Sequence, residues 1–446
     1  MTATSPIRTS TSGEVAHADL AMTASNAQSH HSSHNHKHHS GANAAIIEYG
    51  YPHGHLGHLT AEEDKSFKEF KQYLIKEGVY KPGPPPSHDD ATLLRFLRAR
   101  RWVVLDGYKQ FKETEDWRAA TQLNLLYDTI DLDGYEQSRL LYPQWTGRRD
   151  KRGIPVYLFE ICHLDSKTIS TYEKTTNNTY SKAKPDGNTP PRLLRLFALY
   201  ENLTRFAQPL CTQMPDREHA TITPITLSTN IVDVSGVSLR QFWNLKSHMQ
   251  AASTLATAHY PETLDRIFII GAPVFFTTVW GWVKRWFDPV TVSKIFILGP
   301  QEVLPTLLSF IAKKDIPKKY GGELDFTWGQ MPNLDPAIRA RTTWENDFTD
   351  FPKGPLFWRP IDGGRVECVA AGSVKKVERM ARVCTMPTCF KGAAAVVPEE
   401  VTGAIKPVVA SSSNGHVDAV DAETVAKLEG LTVTEKADAT PATVTA

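Results

Sequence analysis

Between about residue 140 and residue 311 the chain alternates between two kinds of segment, and that alternation restricts its fold more than any other feature. Short apolar runs of strand length occupy 156–161, 225–232, 267–270 and 295–298. Longer stretches with helical spacing occupy 190–206, 239–258, 275–286 and 302–311. Strands that alternate with helices pair in parallel through right-handed crossovers, because a short turn cannot return the chain to the same end of a sheet. The expected core is therefore an α/β unit with a mostly parallel sheet. The polar stretches 166–189 and 213–224 read as surface loops.

Ahead of that unit the period is helical throughout. Thr60-Ala-Glu-Glu63 is a capping box, followed by Phe67, Phe70, Tyr73 and Leu74 at helical spacing. Gly78 closes this helix, and the prolines of 82–86 form a stiff connector. Asp89 or Asp90 caps a second helix with Leu93, Leu94, Phe96 and Leu97 on its apolar side and Arg95, Arg98, Arg100 and Arg101 between them. A third helix covers 106–119. All ten Trp lie between Trp102 and Trp358, and ten of the sixteen His precede residue 60. The expected organisation is a disordered His/Ser-rich tail at 1–59, a helical subdomain at 60–122 and the α/β domain at 135–325. An irregular extension packed on that domain follows at 326–368. A mostly disordered tail completes the chain at 369–446. Within that tail, 373–386 alternates basic and apolar residues and is a candidate basic surface helix, with Cys384 or Cys389 as candidate acylation sites.

Composition excludes several classes of function. A net charge of +1 gives no global attraction to nucleic acid. Met1 to His58 holds no apolar run of the kind a secretory signal needs, so the five Cys are expected as reduced thiols. Residues 267–283 carry no charge, but Gly271-Ala-Pro273 divides them, and they read as strand, turn and helix rather than as a membrane span. No GxSxG elbow, Walker A loop, GxGxxG after a strand or HExxH is present. A binding protein rather than an enzyme is expected, with no metal and no cofactor.

Three segments join charge to apolar neighbours: 93–102, the turn His259-Tyr-Pro-Glu262, and 288–294. Glu262 and Lys294 each stand just before a parallel strand, so both belong at one edge of the sheet. They form an ion pair closing that edge, or they read a ligand that carries both hydroxyls and phosphate. Between them, 275–287 packs three Trp and three Phe into thirteen residues, followed by Lys284 and Arg285 within the same stretch. Such a segment is either a core helix with a bulky face or an interfacial one.

Together with Ile316-Pro-Lys-Lys-Tyr-Gly-Gly322 and Thr92-Leu-Leu-Arg-Phe-Leu-Arg-Ala-Arg100, these segments resemble the CRAL-TRIO lipid-binding family over about 60–325. The branch they resemble is that of the secretory-pathway phosphatidylinositol/phosphatidylcholine transfer proteins. The resemblance implies a hydrophobic pocket over the sheet, closed by a gate helix. It implies an inositol-lipid headgroup set of Arg100, Asp150, Glu262, Thr291 and Lys294. Of the second-lipid determinants, Tyr200 and Ser228 are kept, while Asn230 and Thr146 stand where the branch carries threonine and tyrosine. The gate helix would carry Phe275, Phe276, Trp280, Trp282, Trp286 and Phe287, with Lys284 and Arg285 meeting anionic headgroups. Moving a two-chain lipid through water exposes about 30 CH₂ groups at about 0.8 kcal/mol each, about 24 kcal/mol, so a gate would have to open against the bilayer. The function implied is extraction of phosphatidylinositol, carriage in the pocket, and presentation for phosphoinositide synthesis and membrane trafficking. The implied ligand is a phospholipid, and the implied partners are the membrane surface and phosphatidylinositol kinases. A cytoplasmic monomer, transiently peripheral to Golgi, endosomal or other membranes, is expected. A carrier or sensor of a sterol, a tocopherol-like lipid or haem is the alternative.

Overall fold

The computed structural model describes residues 50–286 and 289–390. The His-rich stretch before residue 50, Phe287, and the tail beyond residue 390 lie outside the described residues.

Helix α1 (Ala61–Lys76) starts at the capping box. The Glu63 N–H donates to Thr60 Oγ1 at 3.2 Å, and the Thr60 N–H donates to Glu63 Oε2 at 2.9 Å. Its apolar stripe, Phe67, Phe70 and Leu74, packs on α2 (Asp90–Ala99) and α3 (Val104–Thr121) through Leu93, Leu94, Phe96, Leu97 and Phe111. Two short helices, α4 (Leu123–Thr129) and α5 (Leu132–Arg139), lead into the sheet.

Strand β1 (Gln144–Arg149) pairs antiparallel with β2 (Pro155–Glu160). Helix α6 (Ser166–Thr176) follows, then α7 (Pro191–Asn202), which continues through one π-helical turn (Leu203–Ala207) into α8 (Gln208–Thr212). Next come β3 (Ser228–Asp233), α9 (Leu239–His259), β4 (Leu264–Ile270), α10 (Phe276–Val283), α11 (Pro289–Ser293), β5 (Ile295–Ile297) and α12 (Val303–Phe310). The five strands lie in the order β1-β2-β3-β4-β5, and β2 to β5 run parallel. Helix α6 corrects the expectation of a loop over 166–189: Asp165 caps it, accepting from the Thr168 N–H at 2.7 Å, and Tyr172 buries against the core.

Register divides the sheet into two unlike faces. Leu158, Ile231, Phe268 and Phe296 share one face and pack with Leu307, Ile311, Ile316 and Tyr320. Asn230, Ile267 and Ile295 share the other, and all three are only partly buried, Asn230 and Ile267 although they sit on inner strands. That second face looks toward α7, α9 and α10, which bring Tyr200, Met249, Leu255, Phe276 and Trp280 to the same cluster.

The C-terminal part departs most from expectation. After α13 (Pro336–Arg341) the chain builds a four-stranded antiparallel sheet in the order β6-β11-β8-β7: β6 (Thr343–Trp344), β7 (Leu356–Ile361), β8 (Arg365–Ala370) and β11 (Ala381–Pro387). The expected irregular extension and the basic helix at 373–386 are therefore corrected. Lys375 and Lys376 both have left-handed backbones (φ +49° and +67°) and turn β9 (Ser373–Val374) onto β10 (Val377–Glu378) as a two-residue hairpin. Val366, Cys368 and Ala370 alternate at period two into a core with Val383, Cys384 and Met386. Cys384 is fully buried opposite Cys368, which removes it as an acylation site.

Residues 50–59 are also corrected, from tail to packed segment. Tyr51 buries with Ile154, Cys211, Ile225 and Leu227 and accepts a hydrogen bond from Arg217 Nη1 at 3.1 Å.

Candidate functional site

The turn after α9 is pinned from two sides. Tyr260 donates its hydroxyl to Glu201 Oε1 at 2.6 Å, and Arg118 Nη1 donates to the same oxygen at 2.8 Å. Burial alone would raise the Glu201 carboxyl, but the Arg118 guanidinium outweighs it and holds the group at about 2. From α2, Arg95 Nη1 donates to the Pro261 carbonyl at 3.0 Å. So fixed, the turn presents Glu262 with φ +55°, a left-handed backbone that a non-glycine residue keeps only when its surroundings impose it.

Glu262 Oε2 lies 3.2 Å from Arg98 Nη2 and 3.4 Å from Lys294 Nζ. Lys294 Nζ also donates to the Leu264 carbonyl at 3.1 Å, and the Lys294 carbonyl accepts from the Ile267 N–H at 2.9 Å, where β5 meets β4. Arg98 Nη1 lies 2.9 Å from His55 Nε2. Burial and the neighbouring Arg98 hold His55 well below the usual imidazole range, so the ring is neutral, with Nδ1–H given to the His53 carbonyl and Nε2 accepting from Arg98. Two cations thus converge on one carboxylate, which leaves one positive charge over. All three charged side chains are mostly but not fully covered.

Of the five headgroup candidates, the structure joins Glu262 and Lys294. It places Thr291 one turn away, with its carbonyl accepting from the Lys294 N–H at 3.1 Å. Arg100 is not in this cluster. Helix α2 ends at Ala99, and Arg100 is its exposed C-cap. Arg98, one turn after Arg95 and on the same helix face, holds the position instead. Asp150 is also elsewhere. Its Oδ1 accepts from the Arg152 and Ile154 N–H groups at 2.8 and 3.0 Å, and its Oδ2 from Arg152 Nη2 at 2.8 Å and Thr229 Oγ1 at 3.2 Å. Those four bonds use its acceptor capacity inside the β1–β2 turn. Sequence reasoning missed Arg98 and His55. Helical phase relative to the apolar stripe of α2 was the available signal for Arg98; His55 had none.

Asn230 and Ser228 adjoin: Asn230 Nδ2 donates to Ser228 Oγ at 3.1 Å, and Ser228 Oγ donates to the Thr263 carbonyl at 3.1 Å. Tyr200 packs at a tilt against Tyr260, ring centroids 4.9 Å apart, and burial raises its phenol to about 12. Thr146 donates to the Val156 carbonyl at 3.0 Å inside the sheet. In the gate candidate, Phe276 and Trp280 turn inward to the cluster on the open sheet face. Trp282 meets Trp243 of α9, and Lys284 and Arg285 are exposed in the 3-10 turn (Lys284–Trp286) that follows. Phe275 is the N-cap of α10, and Trp286 is partly exposed. No helix among the described residues is long and apolar enough to cross a membrane. One group with metal-ligand chemistry, Glu160, Cys162 and His163, brings its atoms within 4.8 Å of one another. Its carboxylate already pairs with Lys319 Nζ at 2.9 Å.

Comparison with known proteins matches residues 141–322 to the CRAL/TRIO domain and residues 65–113 to the CRAL/TRIO N-terminal domain. The chain is 32% identical over 275 residues to a SEC14 cytosolic factor of Yarrowia lipolytica, covering 61% of this chain and 50% of that protein. It is 31% identical over 276 residues to the SEC14 cytosolic factor of Eremothecium gossypii, covering 61% of this chain and 80% of that protein. A phosphatidylinositol/phosphatidylcholine transfer protein of Arabidopsis thaliana, SFH7, is 28% identical over 266 residues, covering 59% of this chain and 44% of that protein. The match thus spans about half the length of the Yarrowia relative and four fifths of the Eremothecium one.

Proposed function

The chain belongs to the CRAL/TRIO domain family, and from that premise we propose that it binds phosphatidylinositol and carries it between membranes, presenting the headgroup for phosphoinositide synthesis. The observation that carries this reading is the convergence of Arg98 and Lys294 on Glu262 beside a sheet face left partly open. In a complex, Lys294 and Arg98 would neutralise the lipid phosphate while Glu262 accepts from inositol hydroxyls. The acyl chains would lie against Val232, Ile267 and Ile295, under Phe276 and Trp280 of α10. The Arabidopsis relative, named as a phosphatidylinositol/phosphatidylcholine transfer protein, supports this assignment.

Transfer requires α10 to open only against a bilayer, since the chains would otherwise cross water at a cost of about 24 kcal/mol. The chain's own residues would then do only three things: bind, shield and release. No covalent chemistry is assigned to any of them.

Native mass spectrometry of the full chain purified from a eukaryotic host tests the reading. The expected result is one phosphatidylinositol per chain, reduced at least about tenfold by Lys294→Ala with the fold intact by circular dichroism. Undiminished occupancy would remove the site assignment, and a sterol or haem mass in its place would replace the ligand.

A further inference from the structure

The gate segment shares its side of the molecule with a second element. The first two turns of α9 project Leu239 and Trp243 outward, 43% and 44% exposed, and Arg240 beside them is exposed as well. Leu239, Trp243 and Lys246 recur at i, i+4 and i+7, so they form one stripe along the helix. The Lys246 ammonium lies over the Trp243 ring at 5.0 Å, and that ring meets Trp282 of α10 at 5.1 Å. Val274, two residues before α10, is 97% exposed. The stripe and the gate segment are therefore one continuous surface. Neither α9 nor 271–286 contains an acidic residue, whereas Arg240, Lys246, Lys284 and Arg285 all carry positive charge.

We propose that the N-terminal half of α9 is a second membrane-docking element, and that its partner is an anionic bilayer surface. The proposal rests on the lipid-carrying reading above and adds to it the part of the chain that stays docked while the gate moves. An aliphatic and an indole side chain held outward beside basic residues match the composition of a bilayer interface. There the ring takes the headgroup level and the cations meet lipid phosphates. Helix α9 also suits a fixed foothold. Its far end is tied to α3 by Gln110 Nε2, which donates to the Thr257 and Ala258 carbonyls at 3.0 and 2.8 Å. Among the described side chains of α10 there is no such tie, and only Val279 is fully buried. With α9 seated, α10 can leave the sheet face without the protein leaving the membrane.

Cosedimentation of the full chain with phosphatidylcholine vesicles, with and without phosphatidylserine, tests the proposal. Wild-type protein is expected to favour the anionic vesicles. Arg240→Gln/Lys246→Gln is expected to weaken that binding about thirtyfold, from about 1 kcal/mol per basic residue near an anionic surface. Leu239→Ala/Trp243→Ala should weaken binding to both vesicle types. Native mass spectrometry should find phospholipid occupancy unchanged in both variants. Lys294→Ala should show the converse, losing occupancy while keeping vesicle binding, so failure of the headgroup site and failure of the docking surface are distinguishable. Wild-type binding that ignores phosphatidylserine, or a charge variant that binds as wild type, overturns the proposal. The charge variant alters one exposed and one half-buried position, neither in the core, so the test survives if the apolar one fails to fold.

Discussion

Arg98 and Arg100 differ by two positions in one basic run, yet the fold gives them opposite surroundings. Arg98 meets Glu262 and His55 under cover, and Arg100 caps a helix in solvent. Removing Arg98 strands a covered carboxylate and the acceptor nitrogen of a buried imidazole, so Arg98→Ala is expected to cost about 1–3 kcal/mol. Arg100→Ala should stay within about 0.5 kcal/mol. Urea denaturation compares the two, and equal costs would remove Arg98 from the cluster. The sequence made the pairing of Glu262 with Lys294 readable because both precede neighbouring parallel strands. It did not make the choice of arginine readable, because that depends on where α2 stops, a boundary of one residue. Asp150 entered the headgroup set through the family resemblance alone, and nothing in the sequence shows that two backbone N–H groups, Arg152 and Thr229 bond its carboxylate. Two buried imidazoles and one half-buried one supply a further test. His55 is held well below its ordinary value by burial and then by Arg98. His248 is lowered to about 4 by burial and Arg192, and His259 to about 4 by burial and Arg118. The unfolded chain therefore takes up protons first as pH falls below about 6.5, and stability present above that value is lost progressively toward pH 4. Glu201 acts in a separate, lower window: its contribution is present above the usual glutamate value and is lost as pH falls toward 2. His248→Gln keeps an acceptor for Tyr142 and cannot titrate, so it should remove about a third of the slope between pH 6.5 and 4 in chemical denaturation. An unchanged slope would contradict the buried, neutral state of His248.

At the scale of elements, the strands that could be read were those whose burial comes from apolar side chains. Strands β2 to β5 announce themselves as apolar runs. Strand β1, Gln144-Trp-Thr-Gly-Arg-Arg149, does not, because its arginines are buried through ion pairs made far along the chain. Arg148 lies 3.4 Å from Asp315, and Arg149 lies 2.7 Å from both Asp216 and Asp335. The C-terminal sheet was hidden for a related reason. Its hairpin turns on Lys375-Lys376 rather than on an Asn-Gly pair, and its inward Glu367 is neutralised by Arg359 and Arg382. Basic residues at those positions gave a helical period by coincidence. This sheet shares a core with the five-stranded domain, and Phe206 is central to it. Phe206, in the π-helical turn, lies against Trp145 at 5.8 Å, Phe351 at 4.8 Å and Trp358 at 6.4 Å. Phe206→Ala should therefore destabilise the whole chain by about 3–5 kcal/mol in a single cooperative transition. Two separate transitions in calorimetry would instead show the sheet to be an independent unit.

Considered whole, the molecule pairs one closed sheet face with one that its own side chains do not finish. Phe268, Ile231 and Leu158 are sealed by α12 and the loop after it, while Ile267, Ile295 and Val232 keep part of their surface uncovered beneath α10. Partly exposed apolar side chains forgo dispersion contacts, and a ligand covering them would supply those contacts. Occupancy and stability are thereby linked, because a ligand that binds only the folded chain stabilises it by mass action. At a hundredfold excess over Kd that amounts to about 2.7 kcal/mol. Over about 340 folded residues, at about 2.1 cal/mol/K each, the shift in melting temperature is then about 4 °C. Protein stripped of lipid should accordingly melt lower than protein loaded with phosphatidylinositol, and reloading from vesicles should restore the difference. In Lys294→Ala the restoration should be smaller, since the chains could still occupy the face while the phosphate lacks one cation. Differential scanning calorimetry on the three preparations decides the matter. Coincident melting of stripped and loaded wild-type protein would mean that the open face is closed by some rearrangement of α10 alone, and that the lipid is not what completes the fold.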